Sequence, residues 1–187
     1  IMDGGKNYGL KPAGLDAMDV SRIEAGFIMN GVDYFSAHQV LTEARKSTPY
    51  EIGLGWTVNL KRDPFIGQEA LKAEKARGPK RSLVCLAYDW VELEDLFAEY
   101  DLPPQVCSSP WRGGVPVYKN NGGQVGYATC GAWSPMVKKN LALATVKTEH
   151  AEVGTRLQVE VTVEFERRKV GATVVESPCF NPERKRA

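Results

Sequence analysis

The strictest limit on this chain's fold is a change of hydrophobic rhythm at Gly78-Pro79. After that pair, six short runs rich in apolar and β-branched residues follow one another. They are Ser82 to Tyr88, Val115 to Tyr118, Gln124 to Thr129, Leu141 to Val146, Leu157 to Phe165 and Lys169 to Val175. Runs of this length and composition, bounded by turn residues, read as strands. Asn120-Asn121-Gly122-Gly123 is a strong hairpin-turn signal between two of them, and Glu152-Val153-Gly154-Thr155 is a weaker one. Six short strands with such turns predict a small closed barrel rather than a flat open sheet. Glu92 to Tyr100 is partly helical in pattern and reads as an insertion between the first two strands.

Before the Gly-Pro pair the rhythm is mixed. Gly67 to Arg77 is the clearest helix, with strong helix formers inside and Gly78-Pro79 to stop it. His38 to Lys46 has Val40, Leu41 and Ala44 at helical spacing and reads as a second helix, ended by Thr48-Pro49. Gly53 to Leu60 reads as a strand. Lys11 to Phe27 fits no single period, and we read it as a turn or short helix leading into a strand that carries Glu24. The fold class is therefore α+β, with a mixed region over residues 1–79 and a barrel over residues 80–187.

A chain of 187 residues holds one or two domains. Its 24 basic and 23 acidic side chains give no global field to draw in nucleic acid or an anionic membrane. No apolar run approaches the roughly 20 residues that span a bilayer, and Ile1 to Gly5 has no signal-peptide pattern. Cys85, Cys107, Cys130 and Cys179 are irregularly spaced and His38 and His150 lie far apart, so no metal site is predicted. That spacing reads as four reduced, mostly buried thiols.

Three motifs carry the functional reading. They are Arg22-Ile23-Glu24-Ala25-Gly26, then Gly53-Leu54-Gly55-Trp56 leading to Lys61-Arg62 and Phe65-Ile66-Gly67, then Gly126 to Pro135. Glu24 sits among apolar and small neighbours, and a buried carboxylate must be paired. Either it pairs with Arg22 or Arg62, or it takes parallel hydrogen bonds from a flat heterocycle with adjacent N–H donors. Arg62 is either solvated surface or a fork for an anionic ligand. Tyr50 and Trp56 are core residues or pocket walls. Gly131, Ser134 and Pro135 read as a tight barrel hairpin.

In this order the motifs resemble the aminomethyltransferase family, the glycine cleavage T-protein and its folate-dependent relatives, over Gly9 to Cys179. The resemblance implies three domains around a folate channel, the last a small β-barrel, and a tetrahydrofolate-dependent one-carbon transferase. It places Glu24 and Arg62 at the folate or substrate, with Asn30, Tyr50 and Trp56 as possible pocket residues. The donor would be a small molecule or a lipoyl carrier. The location would be cytoplasmic, or the mitochondrial matrix in a eukaryote. The family's catalytic aspartate lies upstream of the glutamate motif, so no catalytic residue is assigned in this chain. The missing N-terminal half, or a companion chain, would supply it. Two alternatives are a non-catalytic folate binder acting in iron–sulfur cluster maintenance and an interaction subunit. Arg62 to Glu69 lacks the cysteine that the cluster-linked branch carries there, which argues against the first.

Overall fold

The computed structural model describes residues 1–107, 109–120 and 122–185. Its helices are α1 (Met2–Gly5), α2 (Leu15–Glu24), α3 (Gln68–Arg77) and α4 (Trp90–Ala98). Its strands are β1 (Arg81–Tyr88), β2 (Trp111–Lys119), β3 (Gln124–Ser134), β4 (Lys139–Lys147), β5 (Arg156–Val163) and β6 (Glu166–Val175). All neighbours are antiparallel, and the order β1-β4-β3-β2-β5-β6 closes on itself. This is the expected six-stranded barrel.

The barrel is filled by one face of its strands. Val84, Leu86, Val117, Ala128, Ala144, Val146, Val159 and Val174 form the interior. The opposite face of β1, β3 and β4 is also covered. Cys85, Ala87, Cys130, Ala132, Leu141 and Leu143 pack there with Ile23 of α2. Hence β4 is buried on both faces from Asn140 to Val146, and reads as a continuous apolar run rather than an alternating one. On another side α4 lays Leu93, Leu96 and Phe97 on Val163 and Val170. Asp89 caps that helix, accepting from the Val91 and Glu92 amides at 3.0 and 3.2 Å.

A bulge in β3 sets which face meets α2. Ala128 pairs with Ala144, but Cys130 pairs with Leu143, so Thr129 is an extra residue in the ladder. Ala128 points into the barrel while Cys130 and Ala132 point outward. Strand geometry alternates faces, so in an unbulged strand of the same length 128, 130 and 132 would share one face.

Several expectations need correction. Glu24 lies at the end of a helix, not on a strand, because Asp19, Arg22 and Ile23 are spaced to bury one helical face. His38 to Lys46 is not a continuous helix. Short 3₁₀ turns at Ala37–Gln39 and Glu43–Arg45 replace it, and Leu41 is fully exposed, so its apolar stripe has nothing to bury against. Gly53 to Leu60 is not a strand. It holds turns and a 3₁₀ helix at Gly55–Thr57, with Gly53 at φ +75°, a conformation outside any strand. Gly131 and Ser134 belong to β3, and the hairpin is residues 135–138. A Cβ on Gly131 would meet the Trp111 ring at 2.4 Å, so packing rather than turning explains this glycine.

The Glu152–Thr155 turn leads into β5 but makes no hairpin, since β4 and β5 are not neighbours. The true hairpin before β6 is Glu164-Phe165, both at positive φ (46° and 65°), as a two-residue turn of this type requires. At the β2–β3 turn Asn121 lies outside the described residues. Gly122 N–H donates to Lys119 O at 3.1 Å there. Finally, Cys85 and Cys179 are paired as a disulfide, so the expectation of four reduced thiols fails for them. Residues 94 apart in sequence are brought together because the tail after β6 folds over the outer face of β1.

Candidate functional site

The first and third motifs meet on the outer face of β3. Glu24, 6% exposed, accepts a hydrogen bond from Ser134 Oγ at 2.5 Å on Oε1, with the Met136 amide at 3.4 Å from the same oxygen. Ser134 Oγ itself accepts from Val137 N–H at 3.0 Å, so the hairpin holds the hydroxyl in place. The Glu24 carbonyl accepts from Phe180 N–H at 2.9 Å, which brings the C-terminal tail to the same spot. Oε2 accepts no hydrogen bond among the described residues. Glu24 therefore pairs with neither Arg22 nor Arg62. A hydroxyl and an amide fix it, leaving one oxygen uncommitted.

Arg22 is engaged elsewhere. Its Nε donates to Asp19 Oδ1 at 2.7 Å and its Nη1 to Asp33 Oδ2 at 2.8 Å. Asp33 Oδ1 accepts from Thr129 Oγ1 at 2.5 Å and from the Cys130 thiol at 3.1 Å. Asp19 Oδ2 accepts from Arg112 Nη2 at 2.7 Å. This network of two carboxylates and two guanidiniums, buried except at Arg112, joins α2, the 29–33 turn, β2 and β3. Burial raises the Asp19 carboxyl pKa, but the hydrogen bonds and charges of Arg22 and Arg112 outweigh it and hold the carboxyl below its usual value. Burial and the nearby Asp33 carboxylate push the Cys130 thiol up to about 12, which makes it a poor nucleophile.

The second motif stands on its own supports. Tyr50 packs over Gly55, where a Cβ would meet its ring at 2.7 Å. Trp56 is 83% exposed, so it is no core residue. Arg62 is exposed, with its guanidinium 5.6 Å from the centre of the Phe65 ring. Its backbone carbonyl accepts from Gln68 Nε2, which also holds the Leu60 carbonyl and so shapes the loop. Asn30 is exposed and bridges to Tyr34. The structure thus joins Glu24 to the barrel signature, while Arg62 and Trp56 stand exposed on the 53–67 segment.

Sequence reasoning missed Ser134 as the partner of Glu24, and it missed Asp19 and Asp33. Asp19 had a usable signal, the i, i+3 spacing to Arg22 on a helix. Glu51 was also missed. Arg81 grips both its oxygens at 3.1 and 3.0 Å, and donates to the Ala44 and Lys46 carbonyls, tying the 44–53 segment to β1.

The family described as the glycine cleavage T-protein C-terminal barrel domain matches residues 102–181. An aminomethyltransferase from Halalkalibacterium halodurans is 34% identical over 180 residues, 96% of this chain and 41% of that protein. Over nearly all of its length the chain is thus similar to aminomethyltransferases, and its residues 102–181 match the T-protein barrel domain. Another aminomethyltransferase, from Bacillus velezensis, is 36% identical over 181 residues, again covering 41% of its length. The trimethylamine-oxide aldolase of Ruegeria pomeroyi is 33% identical over 188 residues, the whole of this chain and 20% of that protein.

The solved structure of glycine cleavage system aminomethyltransferase T from Bartonella henselae shares the fold. Its TM-score is 0.71 at 22% identity, over 94% of this chain and 41% of that one. The chain thus spans about two fifths of the length of the aminomethyltransferases it matches. Among the described residues no helix is long and apolar enough to cross a membrane, and no cluster of metal-ligating side chains occurs.

Proposed function

We propose that this chain forms the C-terminal portion of a tetrahydrofolate-dependent one-carbon transferase of the aminomethyl or methyl kind. Residues 1–79 then belong to the folate-binding body and residues 80–187 to the barrel. The observation that carries the reading is the state of Glu24. A nearly buried carboxylate has one oxygen anchored by Ser134 and the other without a partner among the described residues. Such an oxygen is set to receive N–H donors from a planar ring, and pterin offers two adjacent ones. Bound tetrahydrofolate would supply the nitrogen that accepts the one-carbon unit.

The chain's own residues bind and orient. Glu24 would fix the ring, and Arg62, free of any ion pair among the described residues, would meet an anionic group. Tyr50, Trp56 and Asn30 would line the approach. No residue here is assigned as catalytic acid or base.

A companion body is also part of the proposal. Ile1, Met2, Tyr8, Leu10, Leu15, Met18, Phe27, Leu41, Trp56 and Ile66 are all substantially exposed. So many exposed apolar side chains within the first 66 residues suit a partner surface. The relatives' additional length would provide it, and with it the catalytic group and the site for the one-carbon donor. We place the protein in the cytoplasm, or the mitochondrial matrix of a eukaryote. There cellular reductants would act on the Cys85–Cys179 pair.

The test is calorimetric titration of tetrahydrofolate into the full-length protein, with Glu24→Ala alongside. Loss of a charged, buried hydrogen bond costs about 1.5–3 kcal/mol, roughly ten- to a hundredfold in affinity. Equal binding by both proteins would make Glu24 purely structural. No binding by either would remove the folate reading.

A further inference from the structure

A cavity of about 400 Å³ opens between the 31–45 segment and strands β2 and β3. Val32, Phe35, Arg45, Arg112, Gly113 and Tyr127 are among its walls. We propose that it binds a small carboxylate carried on an apolar or aromatic body. The proposal is independent of the folate reading. Thr129 lines this cavity, whereas Glu24 is held by Ser134, five residues further along β3. At about 3.3 Å per residue, and with Thr129 extra to the ladder, the two places are roughly 13 Å apart.

Charge is the first argument. The charged side chains lining the cavity are both arginines. The Arg45 side chain makes no hydrogen bond or ion pair among the described residues, and its guanidinium lies 5.0 Å from the centre of the Phe35 ring. Its acidic neighbour Glu43 is bonded to Lys46. Arg112 spends Nε and Nη2 on one oxygen of Asp19, leaving Nη1 without a partner among the described residues. Asp19 is shared with Arg22, and Asp33 is also taken by Arg22. Three guanidiniums therefore face two carboxylates, and one positive charge remains unmatched at the cavity. Glu51 does not cancel it, since it is gripped by Arg81.

Shape is the second argument. A guanidinium fork matches the two oxygens of a carboxylate, and arginine also stacks on flat rings. Val32, Phe35 and Tyr127 offer apolar and aromatic wall for the body of the ligand. The volume falls in the range of small-molecule sites. The Gly113-Gly114 pair, at an irregularity in the β2–β3 register between Arg112 and Val115, keeps the backbone bare there. A Cβ built on either glycine meets nothing within 4 Å, and neither has a positive φ. The fold therefore does not require glycine at these positions, but an open cavity does.

The test uses the full chain and benzoate as probe, followed by saturation-transfer NMR, with benzamide and inorganic phosphate as controls. Benzoate is expected to bind in the millimolar range or tighter, and benzamide about tenfold more weakly for want of charge. Arg45→Gln removes a guanidinium that holds no structural bond, and Gly113→Ala places a methyl group in the open space. Both should keep the wild-type Tm while weakening benzoate about tenfold. Absence of benzoate binding, equal binding of benzamide, or unchanged affinity in both variants would overturn the proposal. Phosphate displacing benzoate at equal concentration would overturn it too, making the cavity a general anion site.

Discussion

The Ser134 hydroxyl, 2.5 Å from Glu24 Oε1, bonds a carboxylate that has almost no contact with water. Ser134→Ala should therefore cost more than a surface hydroxyl would, about 1–3 kcal/mol, because the partner is left buried and underbonded. Urea unfolding of the two proteins measures it, and a loss below half a kcal/mol, roughly the size of a surface substitution, would refute the anchor. Cysteine reactivity gives a second check. Cys107 is exposed, Cys130 is buried with its thiol pKa raised to about 12, and Cys85 and Cys179 are paired. An alkylating reagent at pH 8 should label Cys107 alone in the native protein, Cys130 only after unfolding, and the other two only after reduction. Mass spectrometry of the labelled peptides decides it. Glu24 itself was legible in the sequence as a candidate, since a carboxylate between Ile23 and Ala25 invites a partner. Its partner was not, because a hydroxyl 110 residues away leaves no local pattern.

At the scale of elements, the Asp19–Arg22–Asp33 network clamps α2 and the following turn to the barrel. Removing one partner of a buried ion pair strands the other, at a cost of about 3–5 kcal/mol. Asp33→Ala should show that loss, and Arg22→Leu with Asp33→Leu together should recover part of it. The network also sets a pH response. The Asp19 carboxyl pKa is lower in the folded state than in the unfolded chain. Its contribution is then complete above the unfolded value of about 3.9 and is lost as pH falls below it. Thermal unfolding between pH 6 and 3 should show this loss in the wild type and a smaller one in Asp19→Asn. The Glu164-Phe165 turn carries strain that glycine and asparagine would relieve. Both residues have positive φ, at a cost on the order of 1–3 kcal/mol each. Replacing them with Asn-Gly should raise Tm, and an unchanged or lower Tm would show that Phe165 contributes contacts its 98% exposure conceals.

The elements were legible in proportion to how local their causes are. Helix Gln68–Arg77 and the six strands follow from propensity and turn residues, which act over a few positions. The 29–66 region was misread because its conformation is set by distant bonds. Arg81, for example, holds the carbonyls of Ala44 and Lys46 and the carboxylate of Glu51. The hairpin at residues 164–165 was missed because Glu-Phe is not the residue pair that positive φ normally selects.

For the whole molecule, the face-switching bulge at Thr129 has a consequence for how this lineage can vary in length. A barrel whose third strand carries one extra residue at 129 can lose that residue without exchanging its faces, but the regular ladder from Cys130 to Ser134 takes no single-residue insertion. One residue more there, with no second bulge to absorb it, would turn Ser134 into the lumen, and Glu24 would lose its anchor without any change to α2. Loop lengths on either side are free to drift, but this stretch is a counting constraint. Descendants of this chain should preserve its spacing even where they have replaced its letters.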